Sequence, residues 1–143
     1  GTVFVITNYI GEKGYLTWDQ LKTMQQLNIE LGSHTANHLP LTTLPSDKIN
    51  DEIKLSKLLM EWNGIKTIYF FSYPNGAYND TAREDLKSNE YLAAVTGDPG
   101  LNTFSNDPYL LKRTYMPRMH FGLLEFKLRL LKSMICSEFG ISI

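Results

Sequence analysis

The run Ile29-Glu30-Leu31-Gly32-Ser33-His34-Thr35-Ala36-Asn37-His38 decides how this chain is to be read. It opens as a short apolar stretch of strand character, and two imidazoles follow directly. A spacing of four is about one helical turn, so His34 and His38 can face the same way and share one metal ion. The pair would then sit at the C-terminal end of a strand, where α/β proteins build their active sites. The same spacing also fits two satisfied polar side chains at a helix start. Zinc, moreover, needs a third protein ligand, which the spacing does not supply.

Working outward, strand-like runs alternate with helical ones. Residues 2–7 read as a buried strand, and Thr17 with Gln20 three later is a capping-box pattern opening a helix through about Leu27. Residues 29–33 form the second strand. From Pro45-Ser46 a longer helix carries Ile49, Ile53, Leu55, Leu58, Leu59 and Trp62 as its apolar stripe, and Asn63-Gly64 stops it. Residues 67–71 make an aromatic third strand, Thr81 with Glu84 caps a short helix to about Ser88, and residues 91–96 read as a fourth strand. A loop spans 97–108, residues 110–116 suit a short strand, and Leu123 to Met134 closes as a leucine-rich helix. The aromatic strand and this last helix are expected to pack in the core. Such a β-α-β order implies a mostly parallel sheet wrapped by helices.

The bulk numbers fit one domain across residues 1–143: 43% hydrophobic, 20% charged, net charge −1. Without a basic cluster, that charge argues against a nucleic-acid surface, and no apolar stretch approaches the length of a membrane span. The single cysteine, Cys136, rules out an intrachain disulfide and a cysteine-only zinc site. The chain opens on Gly1 directly into a strand, so the sequence reads as N-terminally truncated and any export signal as lying out of view.

Three stretches resemble the polysaccharide deacetylases (carbohydrate esterase family four, the NodB-homology domain). Gly1-Thr2-Val3-Phe4-Val5-Ile6 looks like that family's second strand. Tyr15 to Leu21, leading into Leu31 to His38 and then Leu41 to Leu44, matches its second motif, and Phe71 to Asn79 looks like its third. The resemblance implies that His34 and His38 bind a divalent metal, typically zinc, from a loop entering a helix. That metal would polarise an acetamide carbonyl and bring water to a pKa of ~7. Thr35 is expected to cap and orient the metal turn. Tyr73, Pro74 and Gly76 would belong to one wall of the sugar groove, and the backbone N–H of Asn75 would stabilise the oxyanion. Read without the resemblance, Pro74-Asn75-Gly76 is a tight turn after a strand.

The chain departs from the family pattern in several places. The family's Asp pair, which supplies the general base and a third metal ligand, would lie upstream of Gly1. Ser72 stands at its third-motif Arg position and Asn75 at the following Tyr position, as in a subfamily. The late Leu-x-His motif has no match; His120 sits in the wrong context and reads as a surface or core histidine. Arg113 resembles a late arginine that orients the catalytic carboxylate, and equally fits an ordinary surface arginine. Asp98 and Asp107 rank low as third ligands.

The expected fold is therefore α/β, an incomplete (β/α) barrel of the polysaccharide deacetylase type, with strand edges open to self-association. The expected function is metal-dependent removal of N-acetyl groups from a polysaccharide (poly-N-acetylglucosamine, chitin-like chains or peptidoglycan), outside the cell or at its surface, with this piece inactive alone. The alternatives are a non-catalytic carbohydrate-binding remnant using Tyr73, Tyr78 and Trp18 as stacking faces, and a structural domain whose His pair is incidental.

Overall fold

The computed structural model describes residues 1–116 and 122–139, without the side chains of 136–139. Four strands, β1 (Thr2–Val5), β2 (Glu30–Ser33), β3 (Phe70–Ser72) and β4 (Ala93–Val95), lie in the order β1-β2-β3-β4, and all are parallel. Each crossover carries one helix: α1 (Trp18–Gln26), α2 (Ser46–Trp62) and α3 (Asp80–Ser88). A fourth helix, α4 (Leu123–Phe139), follows. The sheet is open rather than closed into a barrel, and β1 is an edge among the described residues. No helix in the described residues is long and apolar enough to cross a membrane.

Local sequence explains most element ends. Thr17 Oγ1 accepts from Gln20 N–H while the Gln20 side chain accepts from Thr17 N–H, so the capping box that opens α1 is present in full. For α3 the cap is Asn79, whose Oδ1 accepts from Ala82 N–H at 2.8 Å, rather than Thr81. Asn outcompetes Thr because its carbonyl reaches the N3 donor two residues earlier in the chain, lengthening the helix at its start. Gly32 lets β2 run between its neighbours: a Cβ there would meet the Phe4 ring at 2.6 Å and the Phe70 carbonyl at 2.8 Å.

The core lies between the sheet and its helices, with Leu21, Leu31, Ile53, Met60, Ile68, Phe71, Leu86 and Tyr91 buried. Phe71 meets Tyr73 and Tyr91 edge to face, with centroids 5.4 and 5.5 Å apart. Three expectations need correction. The stripe on α2 is rotated: Leu55 and Trp62 are exposed, while Ile49, Glu52, Ile53, Ser56, Lys57 and Met60 face inward. The polar members are tolerated because they are bonded; Lys57 Nζ donates to the Asn89 and Glu90 carbonyls at 2.8 and 3.3 Å. The strand expected over 110–116 shrinks to one bridge between Val95 and Leu111, because Asp107 caps a 3-10 turn at Pro108–Leu110 that aims the chain across β4 only briefly. Helix α4 runs on to Phe139, and its Leu123, Leu124 and Leu128 are exposed rather than core. It is tied down on a polar side, where Ser133 is buried against Thr114.

Candidate functional site

β2 ends at Ser33, and His34 follows with its N–H donating to the Val5 carbonyl of β1 at 2.9 Å. The expected helical turn is absent. Residues 34–38 form an irregular turn in which Thr35 (φ 66°) and His38 (φ 59°) are left-handed. Those two reversals swing the chain back on itself, so the imidazoles converge by a tight loop rather than by helical periodicity. His34 Nε2 and His38 Nε2 stand 3.2 Å apart, their rings edge to face. Two nitrogens held at about 2.0–2.1 Å by one tetrahedral zinc ion stand about 3.3 Å apart. The pair has ligand spacing.

The turn is held from several directions. His38 N–H donates to Thr35 Oγ1 at 2.9 Å, so Thr35, fully buried, caps the turn as its position implied. Thr7 and Asn8, just after β1, donate from their backbone N–H groups to the Thr35 and Ala36 carbonyls. His34 Nδ1–H donates to the Ser72 carbonyl at 2.6 Å, which leaves Nε2 as the lone-pair nitrogen. Burial holds the His34 imidazolium below its ordinary range. The Ser72 bond opposes that shift, and the charges of His38 and Arg113 reinforce it.

β3 ends in a second turn, Pro74–Gly76, with Asn75 left-handed (φ 55°). Gly76 also has positive φ and lies so near Gly97 that an added Cβ would stand 2.3 Å from its backbone. Gly76 N–H closes the turn on the Tyr73 carbonyl and Ala77 N–H on that of Pro74, while the Asn75 N–H has no partner among the described residues.

A family model described as polysaccharide deacetylase matches residues 1–94 of the 143. The chain belongs to the polysaccharide deacetylase family. It is 34% identical over 112 residues to YxkH of Bacillus subtilis (strain 168), a protein named for the same family, covering 78% of this chain and 40% of that protein. The deacetylase PplD of Streptococcus pyogenes, solved in complex with acetate, superposes with a TM-score of 0.80 at 29% identity, covering 93% of this chain and 57% of that one. A polysaccharide deacetylase of Bacillus cereus gives 0.72 at 27% identity over 78% of this chain and 36% of its own. A family pseudoenzyme from Bacillus anthracis shares the fold, with a TM-score of 0.58 at 21% identity, over 66% of this chain and 32% of that one. The chain thus spans less than two thirds of each of these proteins.

Within this family domain the remaining residues are placed as follows. Arg113 is exposed overall, donates through Nε to the Thr96 carbonyl at 2.7 Å, and has a charge that is felt at His34. Tyr73 is fully buried, its hydroxyl donating to the Tyr109 carbonyl, and Pro74 is buried beside it. Both are thus inside the fold rather than open to a ligand; of the aromatic residues expected as stacking faces, Tyr78 is the most open, and Trp18 packs partly into the core. Among the described residues no third His, Cys, Asp or Glu joins the pair. Asp107 is occupied elsewhere, accepting from Tyr109 N–H and pairing with Arg83. His120 lies outside the described residues.

Two supporting residues were not legible from motif spacing. Glu52 accepts from both the backbone and the side chain of Asn37, and Ser56 bonds Ser33 beneath the turn. The available signal was a carboxylate at position 52, three after Ile49 and adjacent to Ile53, in the apolar phase of α2.

Proposed function

We propose that this domain carries the metal-binding part of an enzyme that hydrolyses N-acetyl groups on a polysaccharide such as poly-N-acetylglucosamine, a chitin-like chain or peptidoglycan. The observation that carries the reading is the convergence of the two Nε2 atoms, with the His34 proton already committed to the Ser72 carbonyl. The donor set suits zinc, and a divalent ion held by His34 and His38 supplies polarisation of the acetamide carbonyl and acidification of water. His34 contributes a neutral imidazole near neutral pH, because burial disfavours its charged form. The Asn75 N–H donates to the oxyanion as the acetamide carbon becomes tetrahedral, a contribution of ~10²–10³ in rate at such sites. Arg113, anchored at Thr96, orients the carboxylate that serves as base. The acetate bound by the Streptococcus pyogenes deacetylase is the product class of this reaction.

The reading requires a third ligand and a base in addition to the described residues. The purified chain is therefore expected to gain thermal stability with zinc, to lose that gain in His38→Ala, and to release no acetate from N-acetylglucosamine oligomers alone. Absence of any zinc-dependent shift overturns the metal reading; acetate release by the chain alone overturns its inactivity. That the described residues hold no three-residue ligand cluster also favours a second reading, glycan binding without turnover. That reading predicts oligomer binding indifferent to chelators.

A further inference from the structure

Glu52 is a carboxylate on the inward face of α2, only 6% exposed, between Ile49 and Ile53. Burial of a charged group is costly unless its oxygens are bonded, and here both oxygens are used by one residue. Asn37 donates from its backbone N–H to Glu52 Oε2 at 2.9 Å and from Nδ2 to Oε1 at 2.6 Å. Asn37 Oδ1 in turn accepts from Asn8 Nδ2 at 2.7 Å. A chain of side chains thus runs from the segment after β1, through the residue that precedes His38, to α2.

The turn that this chain grips is strained. Thr35 and His38 both occupy the left-handed region, and for a β-branched threonine that is a true outlier. Such conformations persist only where the surroundings over-determine them. The Thr35 hydroxyl fixes His38 from inside the turn, and Glu52 fixes its neighbour from outside. Without the outer hold, the strain is relieved by letting residues 36–38 swing, which parts the two Nε2 atoms.

We propose that Glu52 is a positioning residue for the histidine pair: by clamping Asn37 it sets His38 Nε2 against His34 Nε2 before any ion arrives. Its functional meaning rests on the metal reading above, whereas its geometric claim does not. A pair preset in this way spends none of its binding free energy on ordering the turn, and loss of comparable supporting contacts typically lowers metal affinity 10–100-fold.

An exchange of chemistry tests this. Glu52→Gln turns an amide donor toward the Asn37 amide, and Asn37→Asp sets carboxylate against carboxylate. The double variant Glu52→Gln/Asn37→Asp restores both hydrogen bonds with one role reversed, keeps the net charge, and leaves Asn8 an acceptor. Zinc affinity is measured by competition with a chromophoric chelator well below each melting temperature. Imidazole tautomers of His34 and His38 are read by long-range nitrogen–proton spectra on the chelator-treated chain. Each single variant is expected to weaken zinc about tenfold or more and to mix the tautomers, and the double variant to return to within about threefold of the parent. Single variants with parental spectra and affinity, or a folded double variant no better than the worse single one, overturn the proposal. If the parent binds no zinc, the metal reading fails, and the tautomer spectra still decide whether Glu52 positions the pair.

Discussion

Residues 33–38 and residues 73–77 each leave a parallel strand through non-glycine residues in the left-handed region, Thr35 and His38 in the first turn and Asn75 in the second. The first is held from outside, by Thr7 and Asn8 after β1, by Glu52 of α2 and by the Ser72 carbonyl of β3. The second closes on its own backbone, which among the described residues is held by one neighbour alone, the end of β4, where Tyr73 N–H donates to the Val95 carbonyl and Gly97 N–H to that of Gly76, with Tyr73 buried under it. A turn that presents side chains needs holding in several directions, since each rotatable bond adds freedom. A turn that presents one backbone N–H needs only the right φ and a close neighbour.

If that contrast is right, the two turns fail differently. The largest effect is expected at Gly76→Ala, where positive φ and the Gly97 backbone leave no room for a Cβ; the urea midpoint should report a loss of about 3 kcal/mol or more. A loss below about 1 kcal/mol would mean that the second turn yields and is not set by its neighbour. Thr35→Val keeps the branch but removes the acceptor for His38 N–H, and should cost about 1–3 kcal/mol in the same assay while lowering zinc affinity.

Alkaline pH probes both turns at once. Burial pushes the Tyr91 phenol, in contact with Ser33 and Ser56 beneath the first turn, up to about 12, and raises that of Tyr73 further. The unfolded phenols lose their protons near pH 10 and the folded ones do not, so this stability is complete below pH 10 and drains away as pH rises toward 12. Melting temperature should fall across that window, and Tyr91→Phe should flatten the fall. The smallest effect is expected at Asn75→Gly, within about 0.5 kcal/mol, because asparagine and glycine both accept the left-handed region and the N–H is unchanged. A large change there would show that the Asn75 side chain contributes to the turn.

Features governed by neighbours in sequence were legible. The Thr17–Gln20 capping box and the end of α2 at Asn63-Gly64 follow from short-range chemistry, and alternating strand and helix patterns gave the parallel α/β order. The histidine pair was found by spacing, but through the wrong geometry: a helical turn was expected, and two left-handed residues do the work instead. Nothing local announces a left-handed threonine, because the contacts that enforce it come from Thr7, Asn8 and Glu52, distant in sequence. The stripe on α2 was misphased for the same reason. Leu55 and Trp62 look like core until Lys57 and Ser56 are seen to be buried with hydrogen-bond partners of their own. Helix α4 is the converse case, apolar in sequence yet largely exposed on the face that meets no described residue.

The two imidazoles come from positions only four apart, and that closeness outlasts the fold. On the metal reading proposed above, a denatured chain keeps His34 and His38 within reach of a common ion, so zinc would associate with the unfolded ensemble as well as with the native one. Whatever binds both states raises the melting temperature by less than its affinity for the native one implies. Zinc stabilisation of this domain should therefore fall short of the value computed from the native dissociation constant. The shortfall itself measures how much of the site is pre-arranged by the folded turn.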